Sequence, residues 1–306
     1  MVAQRILIGP SSFAEIDKGP LKKLTGAGFQ VIDNPYKRKL TREELKELLR
    51  DDVCGIVAGL EPLDRDVLQG RKLKVISRVG SGLSNVDLDA CRELGIKVCS
   101  TPNGPTEAVA ELTMGSLLAM LRMIPQMSEA LHGGRWEKRI GTQLQGKTVV
   151  IVGYGRIGRR VGELLRPFGV QLVVVDPKID ASSLADEQLM TLQGALPIAD
   201  IVTLHNSGEA CLIGEEEISR MKTGVFLLNV ARGGVISEAA LADGIKKGSV
   251  AGAWLDTFAK EPYRGVLEGL PQVILTPHVG SYTTECRIGM ENEAVSNLLS
   301  ALNING

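Results

Sequence analysis

The sequence carries no excess of charge and no long apolar run, and each absence excludes a class of protein. Lys and Arg number 35 and Asp and Glu 36, so the net charge is −1, and no block of one sign stands out. This balance argues against a nucleic-acid-binding protein, which usually displays a basic stripe. No apolar run reaches the length of a membrane span, and the opening MVAQRILIGP lacks the uninterrupted apolar core of a signal peptide.

Paired cysteine motifs are also missing. The chain has five cysteines, an odd number, and none of them forms a Cys-x-x-Cys pair. Free or buried thiols in a reducing compartment are therefore expected, and we predict a cytoplasmic protein without a metal site. Internal repeats and low-complexity segments are absent as well.

What the sequence does contain is a regular alternation of short β-branched runs and helical stretches. Its 306 residues, 44% hydrophobic and 23% charged, suit two compact domains. Strands are predicted over residues 5–8, 30–32, 55–58, 73–77, 148–152, 172–175, 201–204, 225–229, 251–255 and 273–275. Helices are predicted over 41–49, 156–168 and 238–247. Several strands are almost entirely apolar, which is typical of parallel strands buried on both faces. The pattern predicts two doubly wound α/β domains with parallel sheets.

Two breaks indicate where these domains divide. Thr101-Pro-Asn-Gly-Pro105 interrupts the chain after the first set of strands, and an amphipathic helix follows over about 106–122. The second break is His278-Val279-Gly280, and beyond it a long terminal helix is predicted over 283–302, although periodicity does not say which domain it joins. Between these breaks, the segment 125–146 is predicted to be an irregular arm or an ordinary surface loop.

A glycine-rich segment is the most informative motif in the chain. It follows an apolar strand, opens a helical pattern and reads Gly153-Tyr154-Gly155-Arg156-Ile157-Gly158. An acidic residue, Asp176, ends the next strand, which completes the context of a dinucleotide-binding fold. The glycines allow a tight turn and close approach of the backbone, and the amides at the helix start would hold a pyrophosphate. Asp176 would bind the ribose hydroxyls and favour NAD over NADP, although Lys178 nearby could tolerate some phosphate. The alternative is a glycine-rich turn without a ligand.

Three polar side chains follow three other buried strands. Arg232, Glu261 and His278 all lie after strand ends, where ligands bind in open α/β sheets. His278 would take a hydroxyl proton as hydride leaves the adjacent carbon. Glu261 would hold the other ring nitrogen, and Arg232 would grip a substrate carboxylate. Taken singly, each has a plain alternative: a capped loop histidine, a surface charge and an ion-pair partner. His205 also follows a strand and is expected to line the cofactor site.

At these residues the chain resembles the D-isomer-specific 2-hydroxyacid dehydrogenases. The segments VGYGRIG, NVARGGVI, LDTFAKEP and TPHVG occur in that family's order. The resemblance implies a catalytic triad of Arg232, Glu261 and His278, with Asp176 on the ribose and Asp256 on the nicotinamide amide. Three further residues of these motifs are assigned to the cofactor site by the same resemblance, namely Val230, Ala231 and Gly280.

The resemblance also implies an architecture and a partner. It predicts a flavodoxin-like substrate domain formed by residues 1–101 and 284–306, and an inserted Rossmann NAD-binding domain over 102–283. A homodimer through residues 106–146 is expected, with neither nucleic acid nor membrane as a partner.

Other segments resemble the branch of the family that acts on 3-phosphoglycerate in serine biosynthesis. These segments are SRVGSGLSNVD, TPNG and IPQ…GGRWEK, and the extra regulatory domain of longer members is not expected. The resemblance implies substrate contacts from Arg78, Gly80, Ser81, Gly82 and Asn103, with the glycine-rich amides around the carboxylate.

Three departures from the family pattern leave the substrate open. They are Ser84-Asn85, the segment 206–209, and the loop 58–62, which lacks the arginine that phosphoglycerate enzymes often use on the phosphate and where Glu61 would repel a phosphate. A hydroxypyruvate or glyoxylate reductase, or another specialised D-2-hydroxyacid dehydrogenase, is one alternative to an enzyme acting on 3-phosphoglycerate. A non-catalytic NAD-sensing protein is another, although the complete triad argues against it.

Overall fold

The computed structural model describes residues 4–303, so the outermost residues of the predicted substrate domain, 1–3 and 304–306, lie outside the described part. The chain divides into two compact units. The first comprises Met1–Pro105 and Ser281–Gly306, and the second comprises Thr106–Gly280. Both units are α/β folds built on parallel sheets, as the sequence predicts.

The sheet of the first unit has the strand order β2-β1-β3-β4-β5, the flavodoxin-like order. Its strands are β1 (Arg5–Ile8), β2 (Gln30–Ile32), β3 (Val53–Ala58), β4 (Val75–Arg78) and β5 (Lys97–Ser100). Neighbouring strands pair in parallel throughout. The central strand β3 is buried at all six positions, because helices cover both faces of the sheet.

Five helices of the described residues belong to the first unit. They are α1 (Gly19–Gly26), α2 (Arg42–Leu48), α3 (Arg65–Leu68), α4 (Leu88–Glu93) and the terminal helix α11 (Thr284–Ala301). The structure settles the placement of α11, which packs on β3, β4, β5 and α1. Ser77 at the sheet donates a 2.7 Å hydrogen bond to the carbonyl of Ala294 in this helix. Thr283 caps the helix start by accepting the amide hydrogen bond of Cys286.

The sheet of the second unit runs β12-β11-β10-β9-β6-β7-β8, a doubly wound order with its switch point between β6 and β9. Its strands are β6 (Thr148–Val152), β7 (Gln171–Val175), β8 (Gln188–Leu189), β9 (Ile201–Leu204), β10 (Val225–Asn229), β11 (Val250–Leu255) and β12 (Val273–Leu275). Its helices are α5 (Pro105–Leu121), α6 (Ile124–His132), α7 (Arg156–Leu165), α8 (Leu192–Ala195), α9 (Glu215–Arg220) and α10 (Glu238–Lys247). Apolar clusters fill both faces of this sheet.

Some elements differ from the sequence prediction. Strands β5 and β8 were not predicted, because β5 ends in polar residues and β8 is only two residues long. The predicted irregular arm begins instead with helix α6, which has Pro125 in its first turn and Ile124, Met127 and Leu131 at helical spacing. The rest of the arm, residues 133–146, carries neither helix nor strand.

Within residues 4–303, no single helix is long and apolar enough to cross a membrane. Helices α5 and α6 meet the length and composition criteria only as a pair, and this pair is bent by 66°.

Candidate active site

The glycine loop joins β6 to α7 in a conformation that side chains would prevent. Gly153 has a φ of 89°, and a Cβ at this position would lie 2.5 Å from the backbone nitrogen of Asn206. A Cβ at Gly158 would lie 2.1 Å from the carbonyl oxygen of Gly153. Both positions therefore require glycine for backbone geometry alone, whether or not a ligand is bound.

The start of α7 fits a dinucleotide. Gly155 is the N-cap of the helix and provides no side-chain cap for the first amides, which suits a phosphate. A Cβ on Gly155 would meet no atom within 4 Å, so this glycine leaves open space at the loop surface. Arg156 is exposed beside it, whereas Ile157 packs on the core.

Asp176 follows β7 and lies against this loop. Its Oδ2 accepts a 2.8 Å hydrogen bond from the amide of Tyr154, and its Oδ1 accepts a 2.9 Å bond from the amide of Lys178. The carboxylate is half-buried, and each of its oxygens retains a second lone pair. These features fit a carboxylate that accepts hydrogen bonds from ribose hydroxyls.

His278 and Glu261 form a pair beyond β12 and β11. The Nδ1 of His278 lies 3.0 Å from Oε2 of Glu261, and the amide of Phe258 donates a 3.2 Å bond to Oε1 of the same carboxylate. The His278 side chain is 41% exposed, so its other nitrogen, Nε2, can reach a bound molecule. His278 has a φ of 55°, a sparsely populated conformation that is common at functional sites.

Arg232 follows β10, the neighbour of β11. Asn229, buried at the end of β10, accepts the Ala231 amide and donates a 3.0 Å bond to the carbonyl of Arg232. One guanidinium nitrogen of Arg232 donates to the Ala231 carbonyl at 2.8 Å. The predicted catalytic residues thus follow three adjacent strands at one sheet edge, and Asn229 is a supporting residue that the sequence analysis missed.

Asp256 holds the loop that carries His278. Its Oδ1 accepts hydrogen bonds from the Thr276 hydroxyl at 2.6 Å and the Val279 amide at 2.9 Å, and its Oδ2 accepts the Gly280 amide at 2.8 Å. Trp254 donates from Nε1 to the Thr276 hydroxyl at 3.0 Å. Trp254 and Thr276 were also missed as positioning residues, although Thr276 lies in the segment TPHVG, because no local pattern reveals a hydrogen bond between residues 22 apart in sequence.

The remaining predicted cofactor residues lie around the ends of these strands. His205 follows β9, its Nε2 lies 2.8 Å from the Thr203 hydroxyl, and desolvation lowers the pKa of the ring to about 3. The imidazole of His205 is therefore neutral. Val230 and Gly280 are neighbours, because a Cβ on Gly280 would lie 3.7 Å from a Val230 methyl. Ala231 is buried between Val230 and Arg232.

Five of the predicted substrate residues lie in the first unit, at the end of β4 or beyond β4 and β5, whereas Arg232 and His278 lie in the second unit. Gly80 has a φ of 133°, and its amide donates a 2.7 Å bond to the Thr101 hydroxyl. The amides of Ser81 and Gly82 are consequently better candidates for binding an anion than that of Gly80. Arg78 donates to the Val79 carbonyl, and Asn103 is exposed.

Glu61 is buried, whereas the sequence predicted a charged side chain facing a substrate phosphate. The residue is only 1% exposed, and its Oε1 accepts a 2.8 Å bond from the amide of Gly59. Burial raises the pKa of this carboxyl. A buried side chain of this kind does not present a charge to a substrate phosphate, so the expected repulsion loses its basis.

The second unit has the form of a nicotinamide-dinucleotide domain with a histidine–carboxylate pair at its sheet edge. The family model for "D-isomer specific 2-hydroxyacid dehydrogenase, NAD binding domain" matches residues 114–280. The chain belongs to this family.

Several relatives resemble the chain over most of its length. It is 36% identical over 293 residues to D-3-phosphoglycerate dehydrogenase of Homo sapiens, covering 93% of this chain and 54% of that protein. It is also 36% identical over 264 residues to hydroxypyruvate reductase of Thermotoga maritima, covering 82% of this chain and 86% of that protein. The crystal structure of a glyoxylate reductase from Paecilomyes thermophila superposes with a TM-score of 0.87 and 29% identity, covering 99% of this chain and 96% of that one. The chain spans about half the length of the phosphoglycerate dehydrogenases it matches.

Proposed function

We propose that this chain is an NAD-dependent D-2-hydroxyacid dehydrogenase that interconverts a small 2-hydroxy acid and its 2-keto acid. The observation that carries this proposal is the 3.0 Å contact between His278 and Glu261 at the sheet edge that also bears Arg232. A histidine oriented by a carboxylate can exchange a proton with the substrate hydroxyl. An adjacent arginine can bind the carboxylate that every 2-hydroxy acid carries.

The residues divide the chemistry between them. When bound, NAD would supply the acceptor for the hydride that leaves C2 of the hydroxy acid, and NADH would supply the hydride in the reverse direction. Nε2 of His278 takes the proton from the 2-hydroxyl as that hydride leaves, which yields the keto acid and balances the reaction. Glu261 keeps Nδ1 engaged and fixes the orientation of the imidazole. Arg232 binds the carboxylate and polarises the carbonyl in the reverse direction.

NAD is the proposed cofactor in preference to NADP. Asp176 lies beside the glycine loop, where its negative charge would repel a 2′-phosphate and accept ribose hydroxyls. Val230, Ala231, His205, Asp256 and Gly280 would surround the nicotinamide half.

The first-choice substrate pair is 3-phosphoglycerate and phosphohydroxypyruvate, which places the reaction in serine biosynthesis in the cytoplasm. The likeness to phosphoglycerate dehydrogenases supports this choice. The burial of Glu61 removes the expected repulsion of a phosphate, while loop 58–62 still offers no arginine to bind one. The amides of Ser81 and Gly82, with Arg78 and Asn103, are the proposed substrate contacts in the first unit.

Hydroxypyruvate is the second candidate. The hydroxypyruvate reductase of Thermotoga maritima is matched over 86% of its own length, whereas the human phosphoglycerate dehydrogenase is matched over 54%. The match to the reductase therefore includes most of that relative.

A homodimer through residues 106–146 is the proposed assembly. Large apolar side chains in this region are exposed in the single chain: Ile124 at 51%, Leu131 at 54%, Trp136 at 81% and Ile140 at 98%. Covering them would remove a substantial apolar surface from water. Light scattering on the full chain should give twice the chain mass, and the double variant Trp136→Asp, Ile140→Asp should give a monomer. A parent protein that is monomeric at micromolar concentration would overturn the assembly.

The substrate proposal is tested by following NADH consumption with four keto acids: phosphohydroxypyruvate, hydroxypyruvate, glyoxylate and pyruvate. A kcat/KM at least tenfold higher for phosphohydroxypyruvate supports the first choice, and a preference for hydroxypyruvate supports the second. Turnover of none of the four, together with retained NADH binding, would favour a more specialised 2-keto acid as substrate or a protein that binds NAD(H) without catalysing hydride transfer.

A further inference from the structure

Tyr154 occupies the second position of the glycine loop, yet its side chain is buried in the second unit. The residue is 3% exposed and packs on α7, where a Cβ at Gly162 would lie 3.0 Å from its hydroxyl oxygen. The guanidinium of Arg159 lies 4.9 Å from the centre of the ring. A phenol in this position is turned away from the open side of the loop, where Gly155 lies exposed.

The partner of the Tyr154 hydroxyl is Glu187, which precedes β8. Glu187 is 9% exposed, and the tyrosine hydroxyl and Arg166 both donate to its Oε1. The amides of Ala185 and Asp186 donate to Oε2 at 2.9 and 3.3 Å. Desolvation by burial would raise the pKa of Glu187, but hydrogen bonds from Tyr154 and the backbone, with the charge of Arg166, outweigh it and lower the pKa to about 2. All these partners are donors, so only an ionised carboxylate satisfies them together.

The backbone of Tyr154 makes the second connection. Its amide donates the 2.8 Å hydrogen bond to Oδ2 of Asp176. Tyr154 therefore links the glycine loop to Asp176, the carboxylate proposed to bind the ribose, and to the buried carboxylate of Glu187.

We propose that Glu187, acting through Tyr154, is a positioning residue that holds the glycine loop and Asp176 ready for the adenosine half of NAD. This inference rests on the proposed NAD-dependent function. Glu187 accepts a hydrogen bond from the tyrosine hydroxyl, and its proposed effect on the loop passes through that group. A purely structural Glu187 would affect folding stability and leave cofactor affinity unchanged.

The experiment measures dissociation constants of NADH and ADP-ribose by calorimetry on the full-length parent chain and two variants. Tyr154→Phe removes the hydroxyl. Glu187→Gln replaces one acceptor oxygen by an NH2 group, which cannot accept the hydrogen bonds that the partners of Glu187 donate. Each variant should weaken binding of both ligands about fivefold to tenfold, because ADP-ribose contains the affected half of the cofactor. The double variant should bind each ligand about as tightly as the single variant with the lower affinity, since the Tyr154 hydroxyl and the Glu187 carboxylate act as one unit.

Two further variants guard against loss of folding. Arg166→Gln removes one donor to Glu187 at a partly exposed position and should weaken NADH binding about threefold. Met221→Ala lies in the other apolar cluster of the unit and should lower Tm without changing either dissociation constant.

The outcomes separate the two proposals. A parent chain that fails to bind NADH overturns the proposed function and this inference with it. A parent that binds NADH, with Tyr154 and Glu187 variants that fold, melt at lower temperature and bind both ligands as the parent does, overturns this inference alone.

Discussion

Replacing Thr276 by valine tests whether the buried contacts behind His278 set its catalytic position. The Thr276 hydroxyl accepts a 3.0 Å bond from Trp254 and donates a 2.6 Å bond to Asp256. Valine has nearly the same shape but no hydroxyl. The substitution therefore removes both hydrogen bonds and leaves the packing volume almost unchanged.

The cost follows from burial. Trp254 is fully buried, so its indole N–H would lose its acceptor at a cost of about 1–3 kcal/mol. The hydrogen bond from Thr276 to the Asp256 carboxylate contributes about 1.5–3 kcal/mol. Part of this loss is offset because Asp256 keeps its hydrogen bonds from the Val279 and Gly280 amides. We expect the free energy of unfolding to fall by about 2–4 kcal/mol.

The same change should slow the reaction. Asp256 fixes the amides on the C-terminal side of His278, and a small displacement of the imidazole would lengthen its contact with Glu261. A misplacement on the order of 1 Å costs up to about a hundredfold in rate, so kcat should fall about tenfold to a hundredfold. KM should change little, because Arg232 lies on the separate loop after β10.

Urea unfolding and steady-state kinetics with the preferred keto acid measure the two effects. Thr276→Ser keeps the hydroxyl and is the matched control, with kcat close to that of the parent. If Thr276→Val unfolds within about 0.5 kcal/mol of the parent and keeps its kcat, the reasoning is refuted.

The other predictions concern the glycine loop and its carboxylate. Asp176→Ala should reduce the ratio of kcat/KM for NADH over NADPH, and an unchanged ratio would show that this carboxylate does not select the cofactor. Gly158→Ala should destabilise the chain, because the new methyl group would lie 2.1 Å from the Gly153 carbonyl oxygen. Gly155→Ala should unfold like the parent, since its methyl meets no protein atom within 4 Å, yet weaken NADH binding by obstructing the approach of the pyrophosphate. Equal Tm values for these two glycine variants would contradict the geometry of the loop.

The sequence predicted those parts of the fold that leave a local pattern. Apolar strands such as β6 and β10 were predicted with their observed bounds, because strands buried on both faces are continuously apolar. The edge strand β8 leaves almost no pattern in two residues, and α6 was hidden by the polar, glycine-rich segment that follows it.

The candidate site was predictable where function requires an unusual residue at a strand end. The three strands β12, β11 and β10 are neighbours in the sheet and are followed by His278, Glu261 and Arg232. These side chains therefore lie at the same edge of the sheet. Their catalytic roles and the cofactor contacts remain predictions.

Contacts between residues distant in sequence could not be predicted. The bond from Tyr154 to Glu187 spans 33 residues and that from Thr276 to Asp256 spans 20, and each joins residues of ordinary type. Glu61 shows the converse: an acidic residue in a loop looked exposed, but hydrogen bonding to Gly59 and burial place it inside the first unit.

The most direct test of the central claim compares His278→Ala with the parent in two measurements, kcat with the preferred keto acid and the dissociation constant of NADH. General acid–base catalysis contributes about 10²–10⁴-fold, so kcat should fall by at least a hundredfold while NADH binding stays close to that of the parent. Turnover equal to that of the parent would remove His278 from proton transfer and contradict the account.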